Sequence, residues 1–189
     1  MIKGKNIFYF VFPILLVFSK AMYILPKFIL KWFWDLSDLF PSIVANGLKY
    51  IIALRLAKKI GKNVYFGKNL EVKYFENLEI GDNVSIHKDC YIDAIGGLEI
   101  GNDVSIAHNS SILTFEHSWS EMGKPIKYNR LILSPVLIKS DVWIGCGVRI
   151  LSGITIERRS IIAAGSIVNR DVLNNTLVAG VPAKIIKEI

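Results

Sequence analysis

The stretch Leu78–Gly97, LEIGDNVSIHKDCYIDAIGG, is followed directly by a near copy of itself, LEIGNDVSIAHNSSIL, at Leu98–Leu113. In both copies an aliphatic residue returns at every sixth position. These residues are Ile80, Ile86 and Ile92 in the first copy, and Ile100, Ile106 and Ile112 in the second. A period of six is not that of an α-helix, and β-branched side chains favour strands. The repeat therefore predicts short strands joined by turns.

The same period continues on both sides of the two copies. The further aliphatic positions are Ile60, Phe66 and Val72, then Ile138, Ile144, Ile150, Ile156, Ile162 and Val168. Three hexads form a group of eighteen to twenty residues, and self-similarity at such a period is typical of a solenoid. We predict a mainly β chain that folds as a parallel β-helix of about five coils over residues 60–189. A β-sandwich is the alternative, but sandwiches do not keep a fixed six-residue register.

The period breaks between Ile112 and Ile138, which lie 26 residues apart where a continuous coil needs six. The surplus predicts an excursion loop at 113–137, and long loops in compact repeat proteins are usually functional. His117 lies where this loop leaves the predicted coil. An imidazole titrates near neutral pH and can accept the proton of a hydroxyl group, so His117 is a candidate general base. A solvated loop histidine is the alternative.

Four motifs link the chain to a known family. They are FEHSW at 115–119, DVWIG at 141–145, AAGSIV at 163–168 and GVPAK at 180–184. With these motifs, the stretch 60–168 resembles the hexapeptide-repeat acyltransferases. It is similar to the galactoside and maltose acetyltransferases, and closest in style to the capsule and lipopolysaccharide O-acetyltransferases. The resemblance implies a left-handed β-helix, a homotrimer with active sites between subunits, acetyl-CoA as co-substrate, and His117 as general base.

The resemblance also implies a coenzyme A slot along the later coils, where small corner residues let a pantetheine arm approach the backbone. The residues that it implies for this slot are Trp143, Gly145, Cys146, Ala164, Ser166, Asn169, Arg170, Lys184 and Lys187. Cys146 raises the possibility of an acyl-cysteine intermediate. No neighbour in sequence would activate its thiol, so we interpret it as a wall residue. For the two lysines, a solvated C-terminal tail is the alternative.

The acceptor side of the predicted site carries less specific signals. His87, Asp93 and Trp119 are candidates for binding a sugar, with ordinary surface polarity as the alternative. In an ungapped register the acceptor-binding asparagine and aspartate of the galactoside enzymes fall on His87 and Ile95, so the acceptor cannot be carried over. The three histidines occupy different hexad offsets, which does not suggest a zinc site, and we expect no metal.

The N-terminal segment, residues 1–59, is both basic and apolar. Residues 1–62 alone carry a formal charge of +8, compared with +7 for the whole chain. Because the lysines alternate with large apolar residues, residues 1–40 suggest an anionic membrane surface rather than nucleic acid. A polar stripe at helical spacing predicts one amphipathic helix in the membrane interface, with a cap on the first coil as the alternative. The stripe comprises Lys20, Lys27, Lys31, Asp35 and Asp38.

Two further features concern the open end of the solenoid and the cysteines. A helix at roughly Gly47–Lys59 is expected to cover the open end of the solenoid. Cys90 and Cys146 form no motif, and no cleavage motif follows the first apolar run, so we expect a reducing compartment without disulfides.

Together these patterns predict an O-acetyltransferase that acts on a sugar hydroxyl of a polysaccharide or lipid-linked glycan precursor. It would be cytoplasmic and peripherally bound to the inner face of the cell membrane. A serine or other small-molecule acetyltransferase and a non-catalytic trimeric scaffold at a membrane are the alternatives.

Overall fold

Three parallel sheets form the faces of a solenoid in this computed structural model, which describes the backbone of residues 2–189 and the side chains of residues 8–189. In chain order the strands are β1 (Lys59–Ile60), β2 (Tyr65–Phe66), β3 (Glu71–Lys73), β4 (Leu78–Ile80), β5 (Ser85–Ile86), β6 (Tyr91–Asp93), β7 (Leu98–Ile100), β8 (Ser105–Ile106), β9 (Ser111–Leu113), β10 (Phe115–His117), β11 (Leu131–Leu133), β12 (Val136–Ile138), β13 (Trp143–Ile144), β14 (Arg149–Ile150), β15 (Thr155–Ile156), β16 (Ile161–Ile162), β17 (Ile167–Val168), β18 (Thr176–Ala179) and β19 (Lys184–Glu188).

Each coil contributes one strand to each face. Sheet A contains β1, β4, β7, β12 and β15; sheet C contains β3, β6, β9, β14 and β17. Sheet B contains β2, β5, β8, β13, β16 and β18, and β19 returns antiparallel along its last edge. The strands stack in register, so that Ile80 pairs with Ile100 and Ile100 with Ile138. This confirms the solenoid that the six-residue period predicts.

The period-six residues form the core. Ile86, Ile106 and Ile144 stack along the inside of sheet B and are at most 1% exposed. Successive side chains of a strand point to opposite faces of the sheet. The residues that directly precede these isoleucines, such as Ser105 and Trp143, therefore face outward. The outer residues are therefore free to vary and to carry function.

The solenoid has about six turns, so the prediction of about five coils is one turn short. The sixth turn contains Val172, which bridges Ile156, and β18, which pairs with β16. Val172 and Val178 are themselves six residues apart. The period could therefore have identified this turn, after a shortened spacing from Val168.

Three helices cover the first coil: α1 (Ile2–Ala21), α2 (Lys27–Leu36) and α3 (Ser42–Leu56). The predicted polar stripe does not lie on one helix. Lys20 lies in the last turn of α1, whereas the other four residues of the stripe follow Pro26. A short 3-10 turn and Pro26 separate the two helices, because proline lacks the N–H that would continue a helix. The expected third helix is present as α3, but it begins earlier, at Ser42. Within residues 2–189, no helix is both long and apolar enough to cross a bilayer.

The helices bind the first coil through side chains that hydrogen-bond its main chain. In three bonds a side chain donates to a carbonyl: Trp34 Nε1 to Leu70 at 2.9 Å, Lys49 Nζ to Gly67 at 2.8 Å, and Tyr50 Oη to Gly61 at 2.8 Å. In two bonds a main-chain N–H donates to a side chain: Phe66 to Asn46 Oδ1 at 2.8 Å, and Asn69 to Asp38 Oδ2 at 3.0 Å. In the later coils, main-chain groups at these positions pair with the main chain of the preceding coil. The N–H of Asp89, for example, donates to the carbonyl of Lys68. The helices thus replace a missing coil at the open sheet edges.

Lys49 is the centre of this cap and is fully buried. Its Nζ lies 2.7 Å from Asp38 Oδ1 and 5.2 Å from the centre of the Trp34 ring. Burial lowers the pKa of Lys49, and the hydrogen bond with Asp38 opposes that effect. Asp38 was predicted to lie on a polar stripe facing the membrane interface, but it turns inward to neutralise this buried cation.

Candidate functional site

The excursion predicted at 113–137 folds as an antiparallel hairpin of β10 and β11, with His117 opposite Leu131. The base of the hairpin is closed by the N–H of Ser134, which donates to the carbonyl of Thr114 at 2.9 Å. Thr114 Oγ1 in turn donates to the carbonyl of Asp93 at 2.8 Å. The hairpin therefore leaves from the corner where the chain passes from sheet C to sheet A, the C/A corner. His117 is exposed on it.

The tip of the hairpin is ordered by Asn129, which is 5% exposed. Its Oδ1 accepts from the N–H of Glu121 at 2.8 Å, and its Nδ2 donates to three carbonyls at 3.2–3.4 Å. Large apolar side chains nevertheless face outward from the tip, and these are Trp119, Met122, Ile126 and Tyr128. An ordered arm with an apolar exterior is suited to contact another surface.

A second feature lies at the B/C corner, where the chain passes from sheet B to sheet C. In the first three coils, the residue with positive φ at this corner is Asn69, Asp89 or Asn109. In the next two coils it is Gly147 or Gly165, so this position carries no side chain there. A Cβ built at Gly165 would meet no atom within 4 Å, so the backbone there is open to a ligand.

The predicted donor residues near this corner differ in accessibility. Ala164 is exposed and Cys146 is half-buried. Gly145 is buried, and a Cβ there would lie 2.6 Å from the backbone nitrogen of Ala164, so the close stacking of coils requires this glycine. Ser166 is fully buried; its Oγ donates to the carbonyl of Ala163 at 2.7 Å and accepts the N–H of Gly180 at 3.1 Å. Its hydroxyl holds the next turn in place.

The remaining donor candidates lie on two sides of the solenoid. Trp143 is exposed on the outer face of sheet B, beside a cavity of about 320 Å³. The register continues from Trp143 through Ile161 and Leu177 to Lys187, so the tryptophan and this lysine share one column. Lys184 pairs with Ala179 at the same end of the sheet. Asn169 and Arg170 are exposed after β17, at the C/A corner.

The acceptor candidates are not brought together within one chain. His87 is exposed at the B/C corner, with its ring 5.8 Å from that of Tyr65. Asp93 lies at the C/A corner and is 5% exposed; its carboxylate accepts from Tyr91 Oη at 3.3 Å and from the N–H of Ile95 at 3.2 Å. Trp119 is exposed on the hairpin. Asp93 and Trp119 therefore share the corner from which the hairpin leaves, and His87 does not.

Two features of the site were not predicted from the sequence. Asn129 lies in the segment without a period, where no pattern indicates which polar residue is buried. The change from Asn109 to Gly147 at the B/C corner could have been found by aligning the coils. Among the described side chains, no three His, Cys, Asp or Glu residues converge as metal ligands would.

Comparison with known proteins agrees with the fold. The family model described as "Bacterial transferase hexapeptide (six repeats)" matches residues 135–170. The solved maltose O-acetyltransferase of Clostridium difficile 630 is 30% identical, with 86% of each chain covered and a TM-score of 0.76. A hexapeptide-repeat acetyltransferase of Vibrio cholerae O1 biovar eltor, complexed with acetyl coenzyme A, is 29% identical over 82% of each chain, with a TM-score of 0.73.

A curated sequence relative matches over a shorter stretch. The galactoside O-acetyltransferase of Escherichia coli K12 is 49% identical over 55 residues, which are 29% of this chain and 27% of that protein. The sequence match thus spans less than two thirds of the curated relative, whereas the structural matches span most of both chains. The fold and these matches define a β-solenoid acyltransferase. The chain belongs to the hexapeptide-repeat acetyltransferase family and is similar to its galactoside and maltose O-acetyltransferases.

Proposed function

We propose that the chain transfers acetyl from acetyl-CoA to a hydroxyl group of a sugar. The observation that carries this proposal is that the chain has both an exposed histidine, His117, on an ordered hairpin and a corner on the later coils where glycines leave the backbone uncovered. The relatives support it, since one is a maltose O-acetyltransferase and another was solved with acetyl coenzyme A.

In the proposed reaction, His117 accepts the proton of the sugar hydroxyl as its oxygen attacks the thioester carbonyl. The tetrahedral intermediate collapses, the carbon–sulfur bond breaks, and the thiolate of coenzyme A takes the proton from the imidazolium. Main-chain N–H groups stabilise the oxyanion in such reactions when they are held in position beforehand. The rigid coil corners supply main-chain groups of that kind.

The donor would lie along the B/C corner. At Gly147 and Gly165 no side chain shields the backbone, so the amides of a pantetheine arm can approach it. Cys146 and Ala164 would form the wall beside the thioester. Lys184 and Lys187 are exposed cations on the last edge of sheet B and are suited to the adenosine phosphates. Arg170 is exposed at the C/A corner and would reach those phosphates only from a neighbouring subunit.

A complete site would require two copies of the chain. The hairpin leaves from the C/A corner, whereas the glycines lie at the B/C corner, and sheet C separates the two. A neighbouring copy can bring its B/C corner to the hairpin of the first. We therefore propose a homotrimer with three sites between subunits, a closed symmetry that satisfies every such contact.

For the acceptor we propose a glycan, either a polysaccharide or a lipid-linked precursor. Asp93 offers a carboxylate held by only two long hydrogen bonds, and carboxylates accept well from sugar hydroxyls. Trp119 offers an exposed ring on the same corner, and His87 would reach the acceptor only from a neighbouring subunit. The carboxylate and the ring together suit a sugar better than a free amino acid.

We also propose that the helices rest on the inner face of the cell membrane. Their exposed large apolar side chains, which we call the apolar face, are Tyr9, Phe10, Ile14, Leu16, Val17, Phe18, Tyr23, Ile24, Phe28, Trp32, Phe33, Leu36, Leu39, Phe40, Ile43 and Val44. Lys20, Lys27 and Lys31 are exposed among them. Such a mixture suits an anionic bilayer surface. Lys3 and Lys5, which contribute to the same charge, lie outside the described side chains.

Mass spectrometry of acetyl transfer to a panel of free and lipid-linked glycans tests the proposed activity. We expect a mass gain of one acetyl group on at least one sugar, dependent on acetyl-CoA. Transfer to serine instead would replace the sugar assignment. Binding of acetyl-CoA without transfer to any acceptor in the panel would favour a scaffold.

A further inference from the structure

Arg55, near the end of α3, stacks on Tyr23 of the apolar face. Its guanidinium carbon lies 4.4 Å from the ring centre of Tyr23. Its Nε is buried and has no hydrogen-bond partner among the described residues. None of the salt bridges among the described side chains involves Arg55. The cation is therefore held in place by an aromatic ring but is not neutralised by any of these acids.

The surroundings of this guanidinium indicate what would neutralise it. Tyr23 and Ile24 are 62% and 85% exposed and belong to the apolar face. Arginine presents a planar fork of N–H donors that matches the oxygens of a phosphate, and stacking on a ring fixes that fork in advance. Arg55 is half-buried, and only its Nε is enclosed, so the terminal N–H groups of the fork are the donors that a phosphate at the surface can reach.

We propose that Arg55 and Tyr23 form a binding site for the phosphate of an anionic lipid headgroup. This site rests on the proposed membrane contact and gives it a specific anchor. The exposed Tyr23 and Ile24 favour a lipid over free phosphate, because amphipathic aromatic side chains prefer the headgroup region of a bilayer. Because Arg55 stacks on Tyr23 of the apolar face, its guanidinium can meet a headgroup phosphate when that face contacts the bilayer.

Vesicle sedimentation of the full chain tests this site. Vesicles of phosphatidylcholine alone are compared with vesicles that also contain phosphatidylglycerol. One basic residue near an anionic surface contributes about 1 kcal/mol, so Arg55→Gln should weaken binding to the anionic vesicles roughly fivefold. Arg158→Gln is the matched control, since it removes the same charge from an exposed arginine on the solenoid, and it should change binding less than about twofold.

Two more variants separate charge from geometry. Arg55→Lys keeps the charge but loses the fork, and it should bind between the wild type and Arg55→Gln. Tyr23→Leu keeps an apolar side chain but removes the stacking ring, and it should weaken binding about twofold to threefold. This second site variant also covers the case in which Arg55→Gln fails to fold, which circular dichroism would reveal. Acetyl transfer to a soluble sugar should be unchanged in every variant.

Three results would overturn the inference. Equal binding of wild type, Arg55→Gln and Tyr23→Leu to anionic vesicles rules out the anchor, while the membrane contact itself would stand. If the wild type binds neither kind of vesicle, the anchor and the membrane contact both fail, whatever the transfer assay gives. If inorganic phosphate raises the melting temperature of the wild type but not of Arg55→Gln, without an effect of the substitution on vesicle binding, the site binds a free anion and the lipid assignment is wrong.

Discussion

Replacing His117 by alanine should remove most acetyl transfer and leave acetyl-CoA binding nearly unchanged. A general base contributes roughly 10²- to 10⁴-fold to the rate, and the proposed donor contacts lie on later coils. Steady-state kinetics with saturating acceptor, together with calorimetric titration of acetyl-CoA, measure the two effects. Glu116→Ala, which changes the exposed neighbour on β10, is the control. A His117→Ala variant that keeps more than about a tenth of the wild-type kcat would rule out the base.

The two cysteines should differ sharply in reactivity. Cys90 is 2% exposed, and burial raises the pKa of its thiol, so at mildly alkaline pH it stays protonated and inaccessible. Cys146 is half-buried at the proposed donor corner. Iodoacetamide should label Cys146 alone, and acetyl-CoA should slow this labelling, as peptide mass spectrometry would detect. Labelling that acetyl-CoA does not slow would place the donor elsewhere.

At the scale of elements, two tryptophans of α2 should contribute very differently to stability. Trp34 is 3% exposed and its Nε1 donates a hydrogen bond to the carbonyl of Leu70, whereas Trp32 is 73% exposed. Trp34→Phe leaves that buried carbonyl without a donor and should cost about 1–3 kcal/mol of unfolding free energy. Trp32→Phe should stay within about 0.5 kcal/mol of the wild type. Urea titration compares the two, and equal midpoints would mean that the cap does not stabilise the first coil.

The elements also show what a sequence can and cannot reveal. The ladder of Ile86, Ile106 and Ile144 was predictable because each parallel coil places the same kind of residue at the same core position. The sequence period therefore predicts the fold directly. His117 was noticeable because it interrupts that period. The buried pair of Lys49 and Asp38 was not predictable, since both belong to a segment in which charge and apolarity suggested a membrane surface. Pairing across eleven residues of helix and turn leaves no periodic signal.

At the scale of the whole molecule, activity should be recoverable by mixing two inactive chains. His117→Ala lacks the proposed base, and Ala164→Trp would block the proposed donor corner with a bulky, exposed side chain. If each site combines the hairpin of one subunit with the corner of its neighbour, random mixed trimers regain about a quarter of the wild-type sites. Co-refolding the two variants and measuring acetyl transfer tests this.

Light scattering supplies the second arm of that test. The wild type should have the mass of three chains. A fully active monomer, or mixed assemblies without any activity, would show that each site is complete within a single chain.

Because the coils stack in register, the distance along the solenoid between the hairpin and the Gly165 corner is a whole number of coil steps. Each coil advances the chain by one strand spacing, about 4.8 Å. A duplicated repeat inserted between β12 and β16 would continue the ladders, yet it would shift His117 relative to the proposed donor corner by a whole coil. No point substitution can correct such a shift, so only the length of the hairpin can compensate for it. Repeat number and hairpin length must therefore change together as such enzymes diverge.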